Sequence, residues 1–216
     1  MVTNLSLQSS LVNQFISEMR DVNKQQDRLR FRINIERLGE ILAYEISRKL
    51  SYENKLVTTP LGKIEVPVLK QQPVVGTILR AGLPLHQGIL NFFDQADNAF
   101  MSAYRKHKAD GGFDIELGYL ASADMNGRPL IIADPMLATG RSMVETLKLV
   151  LKQFTPSEIH IACIIASDEG IRYAKEFLPN AHIWAATIDR ELNADAYIVP
   201  GLGDAGDLAF GDKMQH

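Results

Sequence analysis

Asp134 and the small and hydroxyl residues that follow it are the residue types in this chain best suited to holding an anion beside a polyol. Residues 130–154 read LIIADPMLATGRSMVETLKLVLKQF. The apolar run Leu130, Ile131, Ile132 and Ala133 ends at Asp134, and Ala138, Thr139, Gly140 and Ser142 come next. Met143, Leu147, Val150, Leu151 and Phe154 then recur at helical spacing and give one apolar face. This order predicts a buried strand, a tight loop and a helix. Free backbone N–H groups at the start of that helix attract an anion, and the helix dipole adds roughly 0.3–1 kcal/mol. Thr139 and Ser142 can add hydroxyl donors, and Gly140 lets a phosphate approach the backbone. No Gly-Lys-Ser/Thr triplet occurs here, so this is not a Walker loop. An unpaired charge in a core is costly, so Asp134 is not expected to be buried alone. A carboxylate at a strand end suits ribose hydroxyls or a divalent cation better than bare phosphate.

Three further groups have the chemistry to join it. Arg80 follows the apolar run Val74-Val75-Gly76-Thr77-Ile78-Leu79 and offers a planar five-donor fork to phosphate or carboxylate. Arg105, Lys106, His107 and Lys108 form a basic tip that Gly111 and Gly112 can hinge; an ordinary solvated charge cluster has the same composition. The tail, Tyr197 to Gly211, is rich in glycine and aspartate and resembles a loose terminus by composition. Its acids fall three apart rather than at alternate positions, which excludes a calcium loop. Ile198, Val199, Leu202, Leu208 and Phe210 give it apolar anchors, so that its glycines can present backbone N–H and C=O groups to a flat ligand.

The elements that must position these groups follow from periodicity. Leu7 to Met19 reads as a short helix and Lys24 to Leu50 as a longer one, with Leu29, Ile33, Leu38, Ile41, Leu42 and Ile46 as its apolar stripe. The four arginines between Arg28 and Arg37 suit a solvated face or a subunit contact. Leu56 to Leu69 alternates and is broken by Pro60, Gly62 and Pro67, which predicts a hairpin outside the main sheet. From Pro73 the rhythm becomes strand, loop, helix. Strands are expected at Val74–Leu79, Ala99–Tyr104, Phe113–Ala121, Leu130–Ala133, Ile159–Ile165 and Ala181–Ala186. Helices should carry Leu85, Ile89, Leu90 and Phe93, then span Asp168 to Phe177 behind Ser167 as N-cap. Such alternation predicts an α/β fold, a mostly parallel twisted sheet with helices on both faces. Ligands bind outside the carboxyl ends of strands in such sheets, where these loops meet.

Composition bounds the function classes. The chain has 216 residues, is 46% hydrophobic and carries a net charge of −3, which fits a single domain over 1–216 and argues against broad nucleic-acid or membrane binding. No apolar run approaches the roughly 18 residues of a membrane span, and no signal peptide is visible at Met1 to Ser10. Cys163 stands alone in an apolar run, so it reads as core packing in a reducing, cytoplasmic setting.

ADPMLATGRS at 133–142 resembles the phosphoribosyl pyrophosphate (PRPP) binding motif of type I phosphoribosyltransferases, in the form seen in the uracil phosphoribosyltransferase family. ILRAGL at Ile78–Leu83, Tyr104-Arg105 and YIVPGLGDAGD at Tyr197–Asp207 are similar to that family's other signatures, in the same order. The resemblance implies the type I phosphoribosyltransferase fold. Its core would lie at about 71–190, with a hood and base site built from the N-terminal helices and 197–211. It implies conversion of uracil and PRPP to UMP and diphosphate, with Mg²⁺ assisting and held largely by substrate. Asp134, Pro135, Met136, Leu137, Ala138, Thr139, Gly140, Arg141 and Ser142 would bind PRPP, Asp134 through the ribose hydroxyls and Ala138 to Ser142 around the 5′-phosphate. Arg80 and Arg105 would take the pyrophosphate, and Asp204 would lie near PRPP or its metal. Ile198, Gly203, Asp204 and Ala205 would hold uracil, with Asp204, Arg105 and Asp134 closest to the chemistry. It also implies a homodimer or higher homo-oligomer. Arg141 stands where family members often carry a small residue. An RNA regulator on the same fold and a transferase for a purine base are the rival classes; the tail signature favours uracil.

Overall fold

Each central strand is buried on both faces, and alternate side chains serve opposite layers. The computed structural model describes residues 1–107 and 113–213, with backbone alone at 103–107 and 113–117. The N-terminal part runs β1 (Val2–Asn4), a 3-10 turn (Leu5–Leu7), α1 (Leu11–Arg20) and α2 (Arg28–Ser47). A hairpin, β2 (Tyr52–Thr59) and β3 (Gly62–Leu69), leads to β4 (Val74–Ile78), α3 (Leu83–Leu90), β5 (Asp97–His107) and β6 (Phe113–Ser122). Next come β7 (Pro129–Ala133), β8 (Met136–Leu137), α4 (Arg141–Leu151), β9 (Glu158–Ser167), α5 (Asp168–Phe177) and β10 (His182–Asp189). The chain closes with β11 (Glu191–Leu192), β12 (Ile198–Val199) and α6 (Ala205–Phe210).

The main sheet runs β1-β10-β9-β7-β4-β5-β6, with β8 beside β9. Pairings are parallel from β1 through to β5, and β6 closes the edge antiparallel to β5. Ile131 and Ala133 of β7 and Trp184 of β10 pack beneath α1, α2 and α3. Leu130, Ile132, Ile161, Cys163 and Ile183 pack beneath α4 and α5. The hairpin pairs only with itself, and all of β2 is exposed. These features match the expected α/β sheet, its strand order in sequence, the separate hairpin and the core position of Cys163.

The structure corrects the helix boundaries. Ser10 caps α1 by accepting from Val12 N–H, and it forms a reciprocal box with Asn13, so Leu7 lies outside the helix. Asp27 caps α2 by accepting from Arg30 N–H, which starts that helix after residue 24. The buried stripe of α2 includes Phe31, Ile35, Leu38, Leu42 and Ile46, while Leu29 is 60% exposed. The arginine face is not uniformly solvated. Arg32 Nη1 donates to the Ala209 carbonyl at 2.7 Å, and the Arg28 guanidinium lies beside Gly211. In the tail, Ile198 and Leu202 are buried as expected, but Val199 and Phe210 are exposed.

Candidate active site

At the carboxyl end of β7 the chain leaves its ladder at Asp134 and Pro135 and rejoins it as β8. Asp134 N–H donates to the Ala162 carbonyl at 3.1 Å, and the Pro135 carbonyl accepts from Ile164 and Ile165 at 3.0 Å. Pro135 and Leu137 are buried, so only Asp134, Met136, Ala138 and Thr139 keep partial exposure along this stretch. Among the described residues Asp134 has no side-chain cation in contact; burial pushes its carboxyl up to about 7, against the pull of the Met136 N–H and the charge of Lys213. The cost of burying a lone charge is thus avoided by retaining the proton near neutrality.

The loop beyond it is held from behind. Gly140 has φ +74°, a left-handed conformation that glycine adopts without strain, and opens α4 without a side-chain cap. That leaves the N–H groups of Ser142 and Met143, in the first turn of an 11-residue helix, for an anion. Arg141 and Ser142, in the first turn, are exposed, and Thr139 Oγ1 accepts from Arg141 N–H at 3.4 Å. Behind the loop, Ser167 Oγ donates to the Ala138 carbonyl at 2.6 Å and accepts from Gly170 N–H at 2.8 Å. A Cβ on Gly170 would collide with the carbonyl oxygens of Leu137 and Ala138. The N-cap of α5 and the anion loop are therefore one packed unit.

Arg80 lies between β4 and α3, after a cis Leu79–Arg80 peptide. Gly82 packs against the Ala133 carbonyl, 2.6 Å from where a Cβ would stand, so this loop abuts the base of Asp134. Arg80 Nη2 reaches Asp207 Oδ1 at 3.2 Å, and both terminal nitrogens face the Gly211 carbonyl at 3.4 Å. The tail is thereby drawn onto the same strand ends. Its glycine-rich run conceals α6, whose N-cap is Asp204: Oδ1 accepts from Gly206 and Asp207 N–H at 2.8 and 3.0 Å. That cap uses one carboxylate oxygen and leaves Oδ2 for other partners. Ile198 and Ala205 are buried, and Gly203 is exposed with φ +91°. Arg105 lies on β5, paired with Ile115; its side chain, and residues 108–112, fall outside the described residues.

An open cleft of about 250 Å³ lies against the tail, lined by Gln25, Gln26, Arg28, Gly203, Asp204, Asp207, Leu208 and Asp212. Gln25, Gln26 and Arg28 belong to the turn before α2 and its first residue, a polar stretch with no periodic signal. Asp207 stands inside the tail motif, yet its ion pair with Arg80 could be found only in three dimensions. Ser167 was legible as an N-cap, but its bond to Ala138 was not. Among the described residues no group of three or more His, Cys, Asp or Glu side chains is arranged to hold a metal, and no helix is long and apolar enough to cross a membrane.

Comparison with known proteins agrees with this layout. A family model described as "Uracil phosphoribosyltransferase" matches residues 6–212. A protein of that name from Porphyromonas gingivalis is 54% identical over 99% of both chains. Another, from Pyrococcus furiosus, is 37% identical over 96% of this chain and 89% of its own. The solved structure of the AQ2163 protein from Aquifex aeolicus superposes with a TM-score of 0.87 at 28% identity and covers both chains fully. A hypoxanthine phosphoribosyltransferase from Staphylococcus aureus shares the fold at a TM-score of 0.50 and 10% identity, over 73% of this chain and 74% of that one. The sheet is thus that of type I phosphoribosyltransferases. The strand-end loops that gather around Asp134 and the tail that closes over Arg80 are carried by a member of the uracil phosphoribosyltransferase family.

Proposed function

We propose that the chain transfers the 5-phosphoribosyl group of PRPP to N1 of uracil, forming UMP and diphosphate. The observation that carries this is the 3.2 Å pair between Arg80 and Asp207, which ties the tail motif to the arginine at the end of β4. The uncapped start of α4, with Ala138, Thr139, Gly140, Arg141 and Ser142, receives the 5′-phosphate. Asp134, with Met136 beside it, receives the ribose hydroxyls. Pro135 and Leu137 act by shaping the loop from the core. Arg80 and Arg105 neutralise the leaving pyrophosphate, which requires Arg80 to exchange Asp207 for phosphate oxygens. Backbone groups at Ile198, Gly203, Asp204 and Ala205 hold the base, under a hood formed by the N-terminal helices and residues 197–211.

No covalent intermediate with the protein is needed. Fixing both substrates in line supplies up to roughly 7–11 kcal/mol. Each donor well placed on the leaving group is worth about 3 kcal/mol, by comparison with loss of an oxyanion-hole donor. A backbone N–H facing the 4-oxo group of uracil would face an amino group in cytosine, and such polar readout discriminates by about 10⁴–10⁵.

Mg²⁺ fits as an ion carried by the pyrophosphate. Asp204, with its uncommitted Oδ2, is the residue to complete its shell, and a magnesium ion with one or two carboxylates plus substrate oxygens is the usual arrangement. When bound it would supply charge neutralisation on the leaving group. The chain is further proposed to act as a homo-oligomer in the cytoplasm. Exposed Leu56, Val57, Leu61 and Ile64 on the hairpin support the first, and the lone buried Cys163 the second. Light scattering tests the assembly. Incubation with Mg²⁺, PRPP and each free base in turn tests the activity, with UMP from uracil expected.

A further inference from the structure

We infer that Arg20 and Asp189 are positioning residues for base recognition: their ion pair locks the Gly201 peptide, and with it the backbone assigned above to uracil. This rests on the proposed function. Arg20 is the last residue of α1 and Asp189 the last of β10, so two elements distant in sequence meet at the root of the tail. Nη1 and Nη2 of Arg20 reach the two Asp189 oxygens at 2.7 Å each, a bidentate fork. The same two side chains take both polar groups of Gly201. Arg20 Nη1 donates to its carbonyl at 2.9 Å, and its N–H donates to Asp189 Oδ2 at 2.9 Å.

Asp189 is 8% exposed. Burial alone would raise its carboxyl, but the Arg20 bonds and the Gly201 N–H outweigh it and hold it below the usual carboxylate range. Gly201 has no slack of its own. Its φ is +60°, and a Cβ there would strike the Ile198 carbonyl, so the chain is folded tightly back between Ile198 and Gly203. Gln25 lies between the same end of α1 and the tail. Gln25 donates from Nε2 to the carbonyls of Met19 and Arg20, and its Oε1 lies 3.9 Å from where a Gly203 Cβ would stand. The peptides before and after Gly201 are thus set by Arg20 and Asp189, neither of which lines the cleft against the tail.

A pair serving only stability would lower the melting temperature and leave the two substrates' constants in step. The positioning role separates them, because the PRPP loop is built on β7, α4 and α5, away from Arg20. Arg20→Ala and Arg20→Lys are compared with wild type by melting temperature, kcat, and KM for each substrate. We expect KM for uracil to rise about a hundredfold in Arg20→Ala. It should rise about tenfold in Arg20→Lys, which keeps the charge but loses the fork. KM for PRPP should stay within about twofold. Exchange of the Gly201 amide hydrogen should accelerate in both variants. If Arg20→Ala does not fold, Arg20→Lys decides alone. A uracil KM unchanged in Arg20→Lys, or both KM values rising together, overturns the inference. UMP formation by wild type is read in the same assay, so failure of the uracil assignment is seen separately from failure of the latch.

Discussion

Replacing Asp134 by Asn removes a carboxyl that burial raises into the neutral range, so its effect should depend on pH. Burial raises the Asp134 carboxyl to about 7 from 3.8 in the absence of the fold. The protonated form is therefore favoured by the fold. The stability this contributes is full below 3.8 and is lost as pH rises through about 7. In the proposed assignment ribose hydroxyls donate to the carboxylate, so PRPP binding should favour the ionised form. At pH 6 about a tenth of the unliganded enzyme is ionised and at pH 8 about nine tenths, which makes kcat/KM for PRPP rise about tenfold across that interval. Losing hydrogen bonds to a charged acceptor costs about 1.5–3 kcal/mol, roughly ten- to a hundredfold. The assay is kcat/KM for PRPP at saturating uracil, from pH 5.5 to 8.5, for wild type and Asp134→Asn. Taking the ratio of the two cancels titration of the substrate's own phosphates. We expect the ratio to be largest above pH 7 and to shrink below it. PRPP should also raise the melting temperature of wild type more at pH 8 than at pH 6. A ratio independent of pH would refute the role assigned to Asp134.

Asp204→Ala should lose most turnover yet remain folded, because the cap it provides to α6 is worth about 1 kcal/mol; unchanged kinetics would remove Asp204 from the site. Gly170→Ala should raise KM for PRPP by roughly tenfold, since relieving a clash of about 1–3 kcal/mol must move the carbonyls of Leu137 and Ala138; a normal PRPP titration of the folded variant would separate α5 from the loop. At the other end of the sheet, burial holds the imidazoles of His160 and His182 down to about 4, where Trp184 Nε1 donates to His160 and stacks on His182. Their neutral forms stabilise the fold above about 6.5, and that stability should fall as pH drops toward 4. Urea midpoints of wild type and His160→Asn over this range check it: a fall of equal size in both would contradict the assignment.

Much of the frame could be read from residue order. Leu130–Ala133 announced a strand buried on both faces, and the spacing from Met143 to Phe154 announced α4, because periodicity reports burial directly. Ser167 marked its helix by type and position. Residues 2–4 carry no pattern of their own and become a strand only because the edge of β10 needs a partner. The tail hid α6, since glycine and aspartate lower helix propensity and only the Asp204 cap and the packing against α2 make six residues worth folding. The candidate site divides the same way. Asp134 and the loop to Ser142 were legible as chemistry next to an element boundary. Gln25, Gln26, Arg28, Asp207 and the Arg20–Asp189 pair were not, because each owes its place to contacts made across more than a hundred residues or to a turn without periodicity.

The central claim is that the tail makes this phosphoribosyl site specific for uracil. It is tested most directly by incubating the protein with Mg²⁺ and PRPP and with uracil, cytosine, adenine, guanine or hypoxanthine in separate reactions, and identifying the nucleotide formed. We expect UMP from uracil, with diphosphate released in equal amount, and no product from the other bases. A nucleotide from one of the other bases with no UMP from uracil would contradict it.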